Sequence, residues 1–283
     1  MAQITRRQGS IMRIGNREYQ TTGHTYVMGI LNVTPDSFSD GGKWNHRDRA
    51  LQHVADMLEE GADLIDIGGE STRPGYEKIS DQEEIDRVVP VIEAVKARFD
   101  IPISLDTYKP AVAAAGIQAG CHMINDIWGL QYHKDMAEVI AHSGLPCCLM
   151  HNREQAEYDR FMEDVAAGLE RSLQIARKAG IQEDRILLDP GVGFGKSYEN
   201  NLEVIRRLKE LHTLGYPLLL GCSRKSVIGL TLGTAASQRL PGTLVTTVFG
   251  VLGGCMFVRV HDVKENVQAV RMAEAILYGP DQA

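Results

Sequence analysis

The chain has 283 residues, a length normal for one α/β barrel and above that of most single domains. Hydrophobic residues make up 43% and charged residues 24% of it, so the chain can bury a large core and does not have the composition of a disordered protein. The formal net charge of -7 and the pI near 5.7 disfavour a nucleic-acid binder, which usually carries a basic surface.

The cysteines and the N-terminal segment predict a cytoplasmic protein. There are five cysteines, an odd number, with no Cys-x-x-Cys pair and no Cys/His metal spacing. Cys147 and Cys148 are adjacent in an apolar run, which favours small core side chains over a disulfide and fits a reducing compartment. The first 19 residues lack the apolar region of a secretory signal, and no window is apolar over a transmembrane length.

In chain order, the first predicted element is a hairpin over Ile11 to Thr22, with Gly15-Asn16 as its turn, and we expect it to close the bottom of the fold. Short apolar segments that follow it are predicted strands: Tyr26-Leu31, Leu64-Ile67, Ile103-Leu105, His122-Ile124, Pro146-Met150, Ile186-Leu188, Leu218-Leu220 and Met256-Val260. Amphipathic runs between them are predicted helices: Arg47-Glu60, Gln82-Arg98, Tyr158-Ala179, Glu199-Leu214 and Val263-Leu277. Glycines placed to end helices recur shortly before strands: Gly61, Gly120, Gly144, Gly180 and Gly215.

This alternation of strands and helices predicts a parallel sheet covered by helices, and eight strands favour a closed barrel over an open sheet. We therefore predict an α/β fold, a single (β/α)8 TIM barrel with an N-terminal β-hairpin. No linker-like stretch divides the chain, so one domain is expected over residues 1–283, with the hairpin at about 11–22 and the barrel at about 26–278.

Polar residues follow nearly every predicted strand. In a barrel these strand ends share one face, where the catalytic groups of such enzymes lie. Each alone is more often a turn or cap residue than a site, but together they combine carboxylates, amides and cations. The clusters are Asn32, 69–73, Asp106, Asn125-Asp126, His151-Asn152, Asp189, 223–225 and 259–262.

Two connections after strands are long and rich in Gly, Pro, Ser and Asp, from Asn32 to Gly42 and from Gly68 to Gly75. Such loops on the active face of a barrel are typical of mobile lids, although plain solvated loops are the alternative. The first carries Phe38, an aromatic side chain in a polar loop, which favours a packing role.

The run from Asp189 to Ser197 contains three glycines and a Gly-Lys-Ser, yet it fails both nucleotide-binding patterns. Pro190 stands where a Walker A loop needs its first Gly, and Lys196 stands where Gly-x-Gly-x-x-Gly needs its third. We expect these glycines to let the backbone approach a ligand beside Asp189.

Four other residues invite competing interpretations. Lys225 follows a buried strand and could form a Schiff base or act as a fixed cation. Arg259 and His261 alternate along the last strand exit and so project the same way, as an anion clamp would. Asp66, inside the second strand, is interpreted as a structural, hydrogen-bonded carboxylate.

Eight segments, in order and one per strand end, together resemble the signature segments of the dihydropteroate synthase family of pterin-binding barrels. They span the chain from about Tyr26 to Val263, and the first two and the last are the most specific. Departures are small, such as Ser226-Val227 where the family often has Ser-Phe. The segments are MGILNVTPDSFSDGG, DIGGESTRPG, SLDTYKP, INDIWG, LMHN, LDPGVGFGK, GCSRKS and RVHDV.

The resemblance implies a set of site residues. It assigns Asp106, Asn125, Asp189 and Lys225 to the pterin, with Ile127, Met150 and Phe194 as apolar walls. It assigns Asn32, Arg259 and His261 to pyrophosphate, with Mg2+ as the cofactor held near Asn32. It assigns Phe38, Thr72, Arg73, Pro74, Ser226 and Lys225 to para-aminobenzoate.

The implied reaction is displacement of pyrophosphate from the methylene of a pterin by the nitrogen of para-aminobenzoate, a step of folate synthesis and a sulfonamide target. A cation-like path is expected, with Asp36, Asp106 and Lys225 as catalytic residues. An aniline needs no strong general base, and closure of both glycine-rich loops would exclude water. By family analogy alone, a homodimer is expected.

Three alternatives stay open from the sequence. A pterin-dependent methyltransferase barrel serving a corrinoid protein could share the pterin contacts, but it should lack the NVTPDSFSDGG and SRKS segments. A phosphate-binding Schiff-base aldolase could use Lys225. A non-catalytic pterin-binding scaffold is disfavoured by the intact loops and the Arg259/His261 pair.

Overall fold

The computed structural model describes residues 10–34, 43–71 and 78–279, and in that part the strands and helices alternate as predicted. The strands are β1 (Ile11–Ile14), β2 (Arg17–Gln20), β3 (Tyr26–Asn32), β4 (Leu64–Gly68), β5 (Ile103–Asp106), β6 (Met123–Asp126), β7 (Cys147–Met150), β8 (Ile186–Asp189), β9 (Leu219–Leu220) and β10 (Phe257–Val260). The α-helices are α1 (Lys43–Glu59), α2 (Asp81–Arg98), α3 (Pro110–Ala119), α4 (Met136–Ser143), α5 (Phe161–Ala179), α6 (Tyr198–Arg206), α7 (Ser226–Leu232), α8 (Leu240–Gly253) and α9 (Val263–Tyr278).

The strands β3 to β10 form a parallel barrel. Their order is β8-β7-β6-β5-β4-β3-β10-β9, so neighbours in the sheet are mostly neighbours in the chain. A parallel bridge between Leu188 and Leu218 joins β8 to the residue before β9 and brings the two edges of the sheet together. The predicted TIM barrel is confirmed, and all strand ends therefore point to one face.

Most positions of the barrel strands are apolar because one face fills the barrel and the other packs under the helices. β4, β5, β6, β7 and β8 are buried along their whole length. Such strands have no solvent-exposed face, which is why they appear in the sequence as short, mainly apolar runs rather than as an alternating pattern.

The helix ends follow local signals. Ser80 caps α2 by accepting a hydrogen bond from the backbone N–H of Glu83, and Ser197 and Asn200 form a reciprocal capping box at the start of α6. The glycines expected to end helices have left-handed backbones, with φ of 100° at Gly120 and 88° at Gly180.

The N-terminal hairpin closes the bottom of the barrel, as expected. β1 and β2 pair antiparallel around the Gly15-Asn16 turn, with Met12 opposite Tyr19. Both side chains are buried, and they pack on Met28 and Phe257 from the barrel interior. The Tyr19 hydroxyl also donates to the carbonyl of Asp63 at 2.7 Å, which ties the hairpin to the start of β4.

The five cysteines all lie in the described part of the chain, where they are buried and unpaired. The expectation that they serve as small core side chains is confirmed. Within the ranges described, none of the helices combines the length and the apolar character needed to cross a lipid bilayer.

Candidate active site

Buried polar side chains meet at the carboxyl end of the barrel. Asp106 ends β5, Asn125 lies beside it on β6, and Asp189 ends β8. All three are nearly inaccessible to solvent. A buried polar group is costly unless it is paired, so this concentration at one face marks a site rather than a core.

Arg259 lies at the centre of this group. Its Nε donates to Asp66 Oδ2 at 2.5 Å and its Nη2 donates to Asp106 Oδ2 at 2.6 Å. Asn125 Nδ2 donates to the same oxygen of Asp66 at 3.2 Å. Asp66 is hydrogen-bonded, as the sequence predicted, but it belongs to this network, one level deeper in the barrel than Asp106.

The network has one cation for two carboxylates. Burial raises the pKa of Asp106 to about 7, with Asp66 adding to the rise and Arg259 opposing it. The Oδ1 atoms of Asp66 and Asp106 are buried and make no hydrogen bond within the described part of the chain. The floor of the site thus attracts cations and offers lone pairs to hydrogen-bond donors.

Asp189 and Lys225 form the other side of the site. Gly221 lies between them. If this residue carried a Cβ atom, that atom would lie 3.8 Å from both Asp189 Oδ2 and Lys225 Nζ. Asp189 Oδ1 accepts from the backbone N–H of Gly191 at 2.7 Å. Burial raises the pKa of Asp189 and lowers that of Lys225, and each charge counteracts the shift of the other.

An apolar wall stands beside these charges. Ile127, Met150 and Tyr108 are buried together, and Trp128 and Phe194 pack against them. Flat aromatic and thioether surfaces of this kind suit a planar ligand. The Lys225 ammonium lies 4.8 Å from the centre of the Phe194 ring, so the wall and the charged side are continuous.

The loop after β8 carries Phe194, and two of its glycines lie against the exit of β7. Gly191 and Gly195 have φ of 71° and 53°, and a Cβ on either would meet the backbone carbonyl oxygen of His151 or Arg153, at 1.9 and 2.3 Å. These two glycines allow a close approach to the exit of β7. The expected approach of this backbone to a ligand beside Asp189 stays a prediction.

Lys196 fixes the same loop from inside. Its Nζ lies 2.9 Å from His151 Nδ1 and donates to the carbonyl of Phe194 at 3.0 Å. Burial, followed by the charge of Lys196, lowers the pKa of His151 to about 2, so the imidazole is neutral. Burial also lowers the pKa of Lys196, to about 7. These contacts hold the loop against the exit of β7.

Lys225 is presented to the site by a strained residue. Arg224 has φ of 58°, in the left-handed region, where an arginine is uncommon. Its N–H donates to Thr243 Oγ1 at 3.1 Å, its carbonyl accepts from Arg239, and its side chain is paired with Asp262. No pattern in the sequence indicates this conformation, because its supports come from distant segments.

The other predicted residues lie around this centre or outside the described part. Asn32 ends β3 and flanks Gly68 together with Asp106. His261 lies 3.0 Å through Nδ1 from Ser223 Oγ, and Ser226 is exposed at the start of α7. The predicted residues outside the described ranges are Asp36, Phe38, Thr72, Arg73 and Pro74.

The oxygen atoms around Gly68 fit a shared metal ion better than a resident one. In the described ranges no group of three or more His, Cys, Asp or Glu side chains could hold a metal ion by itself. Mg2+, however, needs only one or two protein oxygens when a substrate phosphate supplies others. The Asn32 amide oxygen and the Asp106 carboxylate, which lie beside each other at Gly68, offer oxygens of the required kind.

Comparison with known proteins agrees with this geometry. Residues 28–261 match the family model described as pterin binding enzyme. The chain is 55% identical over 267 residues to the dihydropteroate synthase of Clostridium beijerinckii, an alignment that covers 94% of this chain and 99% of that one.

Solved structures of relatives have the same fold. One is the dihydropteroate synthase of Clostridium difficile determined in the presence of pteroic acid, at a TM-score of 0.88 and 53% identity, covering 90% of this chain and 98% of that one. Another is the Xanthomonas albilineans enzyme with 4-aminobenzoic acid, at a TM-score of 0.91 and 40% identity, covering 95% and 99%. The chain therefore belongs to the pterin-binding enzyme family and, within it, to the dihydropteroate synthases.

Proposed function

We propose that this chain condenses 6-hydroxymethyl-7,8-dihydropterin pyrophosphate with para-aminobenzoate to give 7,8-dihydropteroate and pyrophosphate. The observation that carries the proposal is that the buried side chains of Asp106, Asn125 and Asp189 meet the half-buried Lys225 beside an apolar wall at the active face of the barrel. The relatives described above, solved with pteroic acid and with 4-aminobenzoic acid, support the same substrates.

The pterin is recognised by hydrogen bonds along its amino-pyrimidinone edge. The carboxylate of Asp189 accepts from adjacent ring donors, and Asn125 supplies both a donor and an acceptor. The ammonium of Lys225 donates to the ring carbonyl and a ring nitrogen. Ile127 and Met150 cover the faces of the ring, with Phe194 alongside.

The first chemical event is departure of pyrophosphate. The bond between the methylene carbon and the bridging oxygen breaks, and its electron pair leaves with the pyrophosphate. Arg259 has five N–H donors, of which the bonds to Asp66 and Asp106 use two, so others remain for phosphate oxygens. Asn32 and His261 complete this anion site, and a bound Mg2+ near Asn32 would neutralise charge on the leaving pyrophosphate.

The pterin methylene becomes electron-poor as pyrophosphate leaves, and the floor of the site is suited to stabilise it. Asp66, Asp106 and Arg259 together carry one negative charge when both carboxyls are ionised. In a buried site this charge stabilises a nearby cation more than it would in water. Asp106 therefore has a catalytic role in this proposal, and the loop residue Asp36 is a second candidate.

The aniline nitrogen of para-aminobenzoate then forms the new carbon–nitrogen bond and loses a proton to solvent. A neutral aniline is nucleophilic, so its lone pair needs positioning more than deprotonation. Ser226 and Lys225 lie at the start of α7, where they border this side of the site, and Phe38, Thr72, Arg73 and Pro74 are assigned to it from the two loops.

We also propose a homodimer formed through α7, α8 and α9. These neighbouring helices expose Leu230, Val245, Phe249, Met272 and Ile276, with Val245 57% and Ile276 72% accessible. Val245 and Phe249 share one side of α8, and Met272 and Ile276 share one side of α9. A second copy of this chain would cover such an apolar face.

A cytoplasmic location is part of the same proposal. Five buried, unpaired cysteines are typical of proteins in a reducing compartment.

Pterin binding by calorimetry tests the site assignment. Asp189→Asn and Lys225→Ala should each abolish measurable binding of a pterin, because each removes a charged group proposed to hydrogen-bond to the edge of the pterin ring. Arg259→Ala should weaken binding of the pyrophosphate substrate much more than binding of the free pterin. Near-normal pterin binding by Asp189→Asn would overturn the pterin assignment, and equal losses for both ligands in Arg259→Ala would overturn the anion site.

A further inference from the structure

A second buried ion cluster lies beside the site, where the chain leaves β4. Lys109 is buried between two glutamates, with its Nζ 2.7 Å from Glu70 Oε2 and 2.8 Å from Glu84 Oε2. Lys109 immediately precedes α3, Glu70 follows β4, and Glu84 lies in the first turn of α2. The cluster joins three segments that are separate in the chain.

The cluster also holds the backbone of Ile79 through both of its polar groups. The N–H of Ile79 donates to Glu70 Oε2 at 2.9 Å, and its carbonyl accepts from Lys109 Nζ at 2.8 Å. Glu70 and Ile79 are the two ends of the connection between β4 and α2. The cluster therefore fixes where this connection starts and where it returns, whatever path the residues between them take.

The Glu70–Lys109 contacts to the Ile79 backbone are called the tie below, and the charges of the cluster make it strong. Burial acts to lower the pKa of Lys109, but Glu70 and Glu84 outweigh it and raise that pKa, so the ammonium is retained. Burial raises the pKa of Glu84, with Lys109 opposing it. A cation that contacts two buried carboxylates and a carbonyl has few alternative positions, which makes it a rigid anchor.

The cluster is also linked to the apolar wall of the active site, through Tyr108. The hydroxyl of Tyr108 donates to Glu70 Oε1 at 2.6 Å, and Tyr108 packs with Ile127 and Met150 in the apolar wall. Glu70 thus contacts the wall on one side and Ile79 on the other. A change at Lys109 reaches the connection directly. It reaches the wall through Glu70 and through the Tyr108 ring, whose centre lies 5.6 Å from Lys109 Nζ.

We propose that Lys109, acting with Glu70, is a positioning residue that fixes both ends of the β4–α2 connection and on which binding of the aromatic amine depends. The second half of this statement rests on the proposed function, which assigns Thr72, Arg73 and Pro74 of that connection to para-aminobenzoate. Lys109 contacts no reacting atom and acts through the backbone it holds.

The decisive comparison is between the variant Glu84→Gln and the double variant Lys109→Met/Glu84→Gln. Glu84→Gln is the matched control because it removes one carboxylate and keeps Lys109 on Glu70 and Ile79. The double variant removes the ammonium without leaving two unpaired buried carboxylates, so it should fold. Relative to the control, we expect KM for para-aminobenzoate to rise about tenfold, with KM for the pterin pyrophosphate within about twofold. Lys109→Arg in the wild-type background keeps a cation at this position, so it should raise KM for para-aminobenzoate less than the double variant does.

Hydrogen–deuterium exchange at the Ile79 amide, resolved to the single residue, tests the tie without any substrate. It should be about tenfold faster in the double variant than in the control. Unchanged exchange would overturn the tie. Faster exchange with equal changes in both KM values, or with no change, would overturn the role in amine binding. If the wild-type chain gives no turnover, the role in amine binding falls with the proposed function, while the exchange comparison still decides the tie.

Discussion

Replacing Arg259 by methionine tests the charge network at the floor of the site. Arg259 is the cation that contacts both Asp66 and Asp106, so its removal leaves two buried carboxylates facing each other. Removing one member of a buried ion pair usually costs about 3–5 kcal/mol, and here two carboxylates lose the same partner. We expect a loss of at least about 3 kcal/mol of unfolding free energy near pH 7.

The loss should grow with pH. Burial already places the pKa of Asp106 at about 7, and Arg259 is the main force that keeps it from rising further. A carboxyl whose pKa is raised on folding contributes stability at low pH that is lost as pH rises towards the folded pKa. Above pH 7 the wild-type protein has released this proton, whereas the variant keeps it. The difference between the two proteins should then increase by about 1.4 kcal/mol per pH unit.

Urea unfolding of both proteins at about pH 7 and about pH 8.5 measures this difference. Arg259→Lys, which keeps a positive charge, should show a smaller loss and a shallower dependence on pH. Adding Asp106→Asn to Arg259→Met should remove most of the pH dependence, because the titrating carboxyl is gone. A loss that is the same at both pH values would refute the placement of Arg259 between two buried carboxylates.

Three further predictions concern the scaffold. His24 Nδ1 lies 2.9 Å from the buried Glu274, and this hydrogen bond is the main cause of the raised pKa of His24. The resulting stabilisation is fully present below pH 6.5 and is lost as pH rises through the raised pKa, so His24→Ala should destabilise the protein more at acidic than at alkaline pH. Equal losses in urea unfolding at the two pH values would contradict this. Gly191→Ala should lower the free energy of unfolding by more than about 2 kcal/mol, because the new Cβ would meet the His151 carbonyl. Gly180 has a similar φ but open space around it, so Gly180→Ala should lower the free energy of unfolding by only about 1–2 kcal/mol. Similar losses in the two variants would argue against the close approach at Gly191. Met12→Ala should lower the free energy of unfolding by about 2–5 kcal/mol and Ile11→Ala by less than about 0.5 kcal/mol, since Met12 is buried at the bottom of the barrel and Ile11 is exposed. Matching unfolding midpoints for the two variants would contradict the role of the hairpin in closing the barrel.

The fold could be predicted from the sequence because its signals are local. Buried parallel strands appear as short apolar runs, and the ends of the predicted strands differ from the observed ones by one or two residues. The hairpin turn and the helix-ending glycines are equally local. The predicted amphipathic helices do not include α3, α4, α7 and α8. The first three are short, and α3 and α8 are apolar on most sides. The predicted helix from Glu199 to Leu214 ends as an α-helix at Arg206 and continues as a 3-10 helix from Leu208 to Leu214.

The candidate site was only partly accessible from the sequence. Placement at strand ends identified Asp106, Asn125 and Asp189, and the family resemblance supplied their roles, which stay proposals. The pairing of Arg259 with Asp66 was not foreseen, because it joins residues 193 positions apart across the barrel.

The Glu70, Lys109 and Ile79 cluster was also not foreseen, since a lysine before a helix has no special pattern. Contacts of this kind depend on how the barrel closes, which no local pattern encodes. The single-domain assignment over residues 1–283 also stays a prediction.

The most direct test of the proposed reaction is pyrophosphate release with both substrates present. The wild-type chain should release pyrophosphate only when the pterin pyrophosphate and para-aminobenzoate are supplied together with Mg2+, and should form one dihydropteroate per pyrophosphate. Asp189→Asn should reduce this rate at least about a hundredfold, because it loses a buried carboxylate that orients the pterin. Pyrophosphate release that does not depend on para-aminobenzoate, or an unchanged rate in Asp189→Asn, would contradict the proposal.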